Sequence, residues 1–234
     1  MTSPDRLREL SGRFAAEFAI VVLGVTLALW ADGWVSDRAE RDREVARLEG
    51  LRDNISRTLA NLRADQENAA GGADALREIV SLDGQNIVNT ELIDLLRYGV
   101  LFGSDFSPEL NVYDDLKNSG ELALLRSPRL RQALAKMESQ LKLVALAQAD
   151  MTTIQQLYID SFAIENLDLR LIYGSDVGLE PDPPIDPSGS ELIFDRKTRN
   201  RLLLKLDLVT YLQSRLDEAE AALVTVQDAI ASQR

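Results

Sequence analysis

The stretch Phe14–Val35, FAAEFAIVVLGVTLALWADGWV, is the one run in the chain that water solvates poorly, and the rest of the sequence takes its meaning from it. At about 1.5 Å per residue, a helix from Phe14 to Ala31 covers roughly 27 Å, close to the ~30 Å of hydrocarbon that a spanning helix must match. Trp30 and Trp34 then fall where an interfacial aromatic belt belongs. The pattern predicts a short leader over 1–13 and one membrane-spanning helix over 14–35. Two other readings fit parts of it. One is a secretory signal peptide with Arg6, Arg8 and Arg13 as its charged region, and the other is a buried core helix. No clean A-x-A site closes the run, and the uncharged residues Phe18–Ala31, so near the N-terminus, suit a bilayer better than a core.

Two features of the span point to company in the membrane. Gly24 and Ala28 form a small-xxx-small pair, which lets helix backbones approach closely. Glu17 places a carboxylate near the hydrocarbon edge, where it is costly unless it reaches water, protonates or meets a partner. The plain reading is that Glu17 and Asp32 mark the two ends of the span; the sharper one is a ring of Glu17 side chains in an oligomer. Arg6, Arg8 and Arg13 before the span balance Arg38, Arg41, Arg43 and Arg47 after it, so the positive-inside rule barely discriminates. The short leader and the acidic body favour an N-terminus inside. That places the chain in a bacterial inner membrane as a single-pass protein with a periplasmic body.

Composition narrows the chemistry. With 234 residues, 45% hydrophobic and 27% charged, the chain holds an anchor and one further domain, 36–234, with a real core. Cysteine and histidine are both absent, which removes thiol nucleophiles, disulfides, imidazole acid/base chemistry and most zinc or iron sites. A net charge of −12 argues against nucleic acid as a partner, because phosphate binding needs a basic face.

After the anchor, residues 36–66 are proline-free and dense in alternating charge, with Val45, Leu48, Ile55, Leu59 and Leu62 on one heptad stripe interrupted by Arg52. This predicts a helical stalk that loosens or breaks at Gly71–Gly72, followed by a second piece over 73–82. Thr90 caps a short helix through Leu96. Ser107–Pro108 and Ser127–Pro128 both read as helix starts, serine as N-cap and proline at the first helical position, and Gly120 suits the left-handed position that ends a helix. From Pro128 a long helix is expected to about Leu171, with Leu134, Met137, Leu141, Val144, Met151, Tyr158 and Phe162 on one stripe and Gln148 and Gln155 at core-type positions. Leu143, Ile154, Leu157 and Ile164 form a second apolar set beside it.

Tyr173–Ser190, rich in proline, glycine and aspartate, is the clearest loop. The last helix, from about Asp195 to Ser232, carries the cleanest periodicity: Val209, Leu212, Leu216, Ala219, Leu223, Val226 and Ile230. The expectation is all-α: one N-terminal transmembrane helix continuing into an elongated up-and-down helical bundle whose seam closes within the chain or against other copies.

No catalytic constellation emerges. Asp114 and Asp115 are adjacent on a helix, so their side chains diverge by about 100° and cannot share a proton. Glu180, Asp182 and Asp186 lack the ligand spacing and central glycine of a calcium loop. No phosphate-cradling glycine motif occurs. No catalytic residue, cofactor or metal site is expected. The stretch Val112–Glu138 reads as a helical corner closing one end of the bundle, with a ligand or partner site on the preceding FGSDF loop, 102–106, as the sharper alternative.

Glu17, Gly24, Ala28, Leu29 and Trp34, followed by a charged helix, together with YDDLKNSGELALLRSPRLRQAL at Tyr113–Leu134, resemble a domain-of-unknown-function family of uncharacterised bacterial single-pass membrane proteins. Ala16 stands where that family often has glycine, and Trp30 and Ala31 where polar residues are usual. The resemblance covers roughly the first 135 residues. It implies topology and no catalytic residues.

The expected function is therefore that of a non-enzymatic, membrane-anchored structural or interaction protein, either a homo-oligomer or an accessory subunit that binds other membrane-protein subunits. One alternative is an extracytoplasmic ligand-sensing bundle that acts through a partner. Another is an oligomeric pore component using Glu17.

Overall fold

The computed structural model describes residues 4–82, 89–167, 169–173, 178 and 195–233. Helices α1 (Pro4–Ser81), α2 (Asn89–Leu95), α3 (Asn111–Asn118), α4 (Pro128–Ile154), α5 (Ser161–Asn166), α6 (Leu169–Tyr173) and α7 (Arg196–Ala231) make up the described chain, with no strand among those residues. Two π-helical turns, Leu96–Val100 and Gln155–Asp160, and a 3-10 turn, Glu121–Leu124, interrupt them. The protein is all-α.

By internal contacts the chain divides into two units, 1–50 and 51–234. In the first unit, every residue from Val22 to Leu27 is exposed, as are Leu29, Trp30 and Trp34. Among the described residues no helix is long and apolar enough to cross a membrane. Of the expected span, the side chains of 14–21, including Glu17, and those at 28, 31, 33 and 35 lie outside the described residues.

The second unit is built on three long helical runs: α1 from Leu51, α4 with its π-helical extension, and α7. Polar pairs fix the direction of α7. Ser56 accepts from Gln227 at 3.0 Å, Arg63 meets Glu220 at 2.7 Å, and Gln66 donates to Asp217 at 2.7 Å. Partners on α7 step back as those on α1 step forward, so the two helices are antiparallel. Helix α4 runs with α1 and packs along α7. Leu51, Ile55, Leu62, Leu76 and Ile79 from α1, Leu134, Met137, Val144 and Met151 from α4, and Val209, Leu212, Leu216, Leu223, Val226 and Ile230 from α7 form one buried core. The seam expected on the last helix thus lies inside a single chain.

Several local signals act as their chemistry dictates. The Ser127 hydroxyl accepts from the Leu130 amide at 3.2 Å with Pro128 just inside α4, and Asp195 caps α7 by accepting from the Lys197 amide at 3.2 Å. Gly120 takes the left-handed conformation at φ 77° after α3.

Other expectations give way. Helix α1 does not break at Gly71–Gly72, because Ala69, Ala73 and Leu76 are buried on either side and Gly72 abuts the Phe102 ring. Ser107–Pro108 starts no helix: α3 begins at Asn111, because the backbone of 109–112 is bonded to side chains of α1 instead. The helix from Pro128 is not regular to Leu171. The π-helical turn inserts a residue, so Ile159 is buried where the unbroken stripe placed Tyr158, and the chain extends at Leu167. Leu157 and Ile164 of the second apolar set are exposed. The loop beginning at Tyr173 lies outside the described residues from 174 onward, apart from Gly178.

Candidate functional site

The segment 101–110, neither helix nor strand, threads between α1 and α4 and is held by buried polar side chains. On α1, Asn54, Thr58 and Asp65 are buried among the apolar core residues. The Asn54 side-chain carbonyl accepts from the Val112 amide at 2.8 Å, and Thr58 both donates to the Glu109 carbonyl at 2.9 Å and accepts from the Glu109 amide at 3.1 Å. Two turns further along, Asp65 accepts from the Ser104 hydroxyl at 2.5 Å and from the Asp105 amide at 3.3 Å. Burial pushes the Asp65 carboxyl above its ordinary value, against the pull of those two hydrogen bonds. From the α4 side, Gln148 donates to the Ser104 hydroxyl at 2.9 Å and to the Phe106 carbonyl at 3.0 Å. A backbone with no ladder partner has to find donors and acceptors elsewhere, and these side chains supply them.

The centre of the arrangement is Lys205. It sits on α7 at 1% exposure, and its ammonium donates to the Val100 carbonyl, to the Gln155 side-chain carbonyl and, at 2.8 Å, to the Phe102 carbonyl. Three oxygens use all three N–H groups of a charged lysine. Gln155 in turn donates to Asp160 at 2.7 Å and to the Val100 carbonyl at 3.3 Å. Burial pushes the Lys205 ammonium down to about 7, with the Asp160 carboxylate pulling the other way. Both π-helical turns end on this cluster. The wide turn lets Val100 and Gln155 direct oxygens at a single nitrogen, which accounts for two costly irregularities in one place.

At the corner, Glu138 accepts from Lys117 at 2.6 Å, Lys142 at 2.7 Å and the Tyr113 hydroxyl at 2.6 Å. Those hydrogen bonds, led by Lys117, hold its carboxyl down to about 2. Burial, and then the Glu138 carboxylate beside it, hold the Tyr113 phenol well above its ordinary value.

Chemically, these are clamps. Lys205 has no N–H left to give and no solvent path, which disqualifies it as a nucleophile as it stands. Among the described residues no group of three carboxylates, histidines or cysteines could hold a metal. Glu180, Asp182 and Asp186 lie outside those residues.

Of the residues singled out in the sequence, Gly24 is exposed, and a Cβ added there would meet nothing within 4 Å. Trp30 and Trp34 are exposed, and the Arg38 guanidinium stands 5.8 Å from the Trp34 ring centre. Gln148 and Gln155, anomalous on their stripe, both belong to the polar network, as does Ser104 of the FGSDF loop. Lys205 was the residue that sequence reasoning missed. It falls on the α7 seam, between Leu202 and Val209, and a lysine at a seam position is the same signal that marked the two glutamines.

The fold and site define an all-α bundle clamped by internal polar groups. Compared with protein-family models, with curated proteins and with solved structures, the chain matches none.

Proposed function

We propose that the chain is a single-pass, membrane-anchored interaction protein of a bacterial inner membrane, with a non-catalytic helical body on the periplasmic side. The observation that carries this reading is the exposure of Val22, Leu23, Gly24, Val25, Thr26 and Leu27 in succession. At about 100° per residue, six consecutive positions cover the whole circumference of a helix. A helix that docks on a protein groove is apolar along one stripe; one that is apolar all round belongs in a core or in lipid.

Three details agree with lipid. The Thr26 hydroxyl donates to the Val22 carbonyl at 2.7 Å, satisfying its own polarity within the helix. Trp30, Trp34 and Arg38 follow in the order of an interfacial girdle. The resemblance to the single-pass family rests in part on this same stretch, and in part on Tyr113–Leu134. Gly24 exposes bare backbone, which favours close helix packing with another subunit or a second copy through the Gly24–Ala28 face. The α7 seam is buried inside the chain, and this reading assigns assembly to the span.

The test is alkaline carbonate extraction of membranes holding the full chain, followed by flotation. An integral span keeps the protein with the floated lipid. Release into the supernatant overturns the anchor.

A further inference from the structure

Between Val100 and Phe106, both buried, no residue of 101–105 is itself buried, and Gly103 and Asp105 are exposed. This stretch therefore has no apolar anchor of its own, and polar clamps hold it down at its two ends. At one end Lys205 of α7 donates to the Val100 and Phe102 carbonyls; at the other Asp65 of α1 accepts from the Ser104 hydroxyl and the Asp105 amide. Lys205 and Asp65 are 1% and 6% exposed, and neither meets an ion-pair partner among the described residues. Both are groups that water solvates better than a bundle interior does. What covers them is a surface layer one chain thick.

We propose that residues 101–105 are a strap that lifts from the bundle as one unit and opens Lys205 and Asp65 to water, and that the proton on Lys205 sets how often it lifts. The buried Phe106 marks where the strap ends, and beyond it Thr58 and Asn54 hold Glu109 and Val112. The inference is independent of how the chain meets the membrane.

The two clamps respond to pH with opposite signs. With the strap down, burial holds the Lys205 ammonium down to about 7; with the strap lifted it returns towards its ordinary 10.5. Between those values the lifted state binds more protons, so rising pH closes the strap, by at most about tenfold in the opening equilibrium per pH unit for one proton. Burial raises the Asp65 carboxyl instead, so acid closes the strap over a protonated Asp65. The strap lifts most readily in the interval between, where both groups are charged. Asp160, on the second π-helical turn, acts on Lys205 and favours its ammonium; Asp105, on the strap itself, acts on Asp65 and disfavours its carboxylate. The strap and Gln155 present only carbonyl oxygens to Lys205.

Hydrogen exchange of the Leu101 and Asp105 amides, in the full chain in detergent micelles, tests this. Those amides are bonded to the Leu96 carbonyl and to Asp65. Behind an opening that ignores pH, exchange quickens in proportion to hydroxide. Here fewer openings offset the faster chemistry, so both rates should stay level, within about threefold, from about pH 7 to 9. Lys205→Met should restore the proportional rise. A Cβ on Gly103 meets nothing within 4 Å, so Gly103→Ala takes freedom only from the lifted strap and should slow both amides about two- to fivefold at every pH. The proposal is overturned if the wild-type rates rise in proportion to hydroxide, or if the two amides report different opening equilibria. A level profile in Lys205→Met, or an isotopic envelope that splits in two, would assign the level rate to slow opening and remove the proton's role. Should Lys205→Met fail to fold, unchanged rates in Gly103→Ala still overturn the strap.

Discussion

Replacing Lys205 by methionine separates its electrostatic from its packing role, because methionine keeps an unbranched stem of similar length and carries no charge. Burial lowers the folded-state pKa of this ammonium from 10.5 to about 7. Between those two values the folded chain binds fewer protons than the unfolded chain, so raising the pH favours folding; below about 7 both states hold the proton and the full cost of burying the charge is present. The interval corresponds to about 5 kcal/mol in total, at about 1.4 kcal/mol per pH unit, and hydrogen bonds to the Val100, Phe102 and Gln155 oxygens make this an upper bound.

Urea denaturation of the full chain in micelles, followed by circular dichroism at 222 nm across neutral to alkaline pH, should show wild-type stability rising with pH and the Lys205→Met curve lacking that slope. The tryptophans cannot serve as the probe, since Trp30 and Trp34 both lie outside the bundle unit. The variant also leaves the Phe102 carbonyl without its lysine donor, at a cost of about 1–3 kcal/mol, whereas the Val100 carbonyl keeps Gln155. Hydrogen exchange in 96–106 should therefore quicken. Wild-type and variant curves of equal slope would refute the burial argument. Unchanged exchange would refute the clamp.

The two neighbouring glycines on α1 should respond in opposite directions. Gly72→Ala forces the Phe102 ring aside and should cost about 1–3 kcal/mol, whereas Gly71→Ala meets open space and should gain about 0.5–1 kcal/mol; the same urea titrations measure both. Glu138 is held down to about 2, so its contribution is present above its ordinary value of 4.5 and is lost as the pH falls from there towards 2. Glu138→Gln should flatten the acid limb of the stability curve by about 1 kcal/mol, a small effect because Lys117 and Lys142 are largely solvated.

The sequence was most legible where local chemistry and periodicity agree. Asp195 opens α7, Ser127–Pro128 opens α4 and Gly120 ends the corner helix because each satisfies a backbone requirement that no tertiary contact overrides. Gly71–Gly72 misled because glycine propensity is a weak force beside the burial of Ala69, Ala73 and Leu76 around it. Ser107–Pro108 misled for a related reason. Asn54 and Thr58, 58 and 51 residues from their partners in sequence, claim the backbone that a helix would have used. A π-helical turn leaves no mark in a 3.6-residue pattern, and so the exchange of Tyr158 for Ile159 in the core was invisible. The polar network was half legible: Gln148 and Gln155 stood out as polar residues on an apolar stripe, but their partner Lys205 sat just before the point at which the α7 seam was first read.

The absence of cysteine makes the central claim directly measurable, because single cysteines can be placed one at a time at positions 22 to 27 in an otherwise thiol-free chain and challenged with a membrane-impermeant maleimide in intact vesicles. Lipid on every side of the helix predicts that all six positions resist labelling, while a cysteine at the exposed position of Val45 reacts. Labelling at all six positions, or in a stripe recurring every three to four residues, would contradict the anchor.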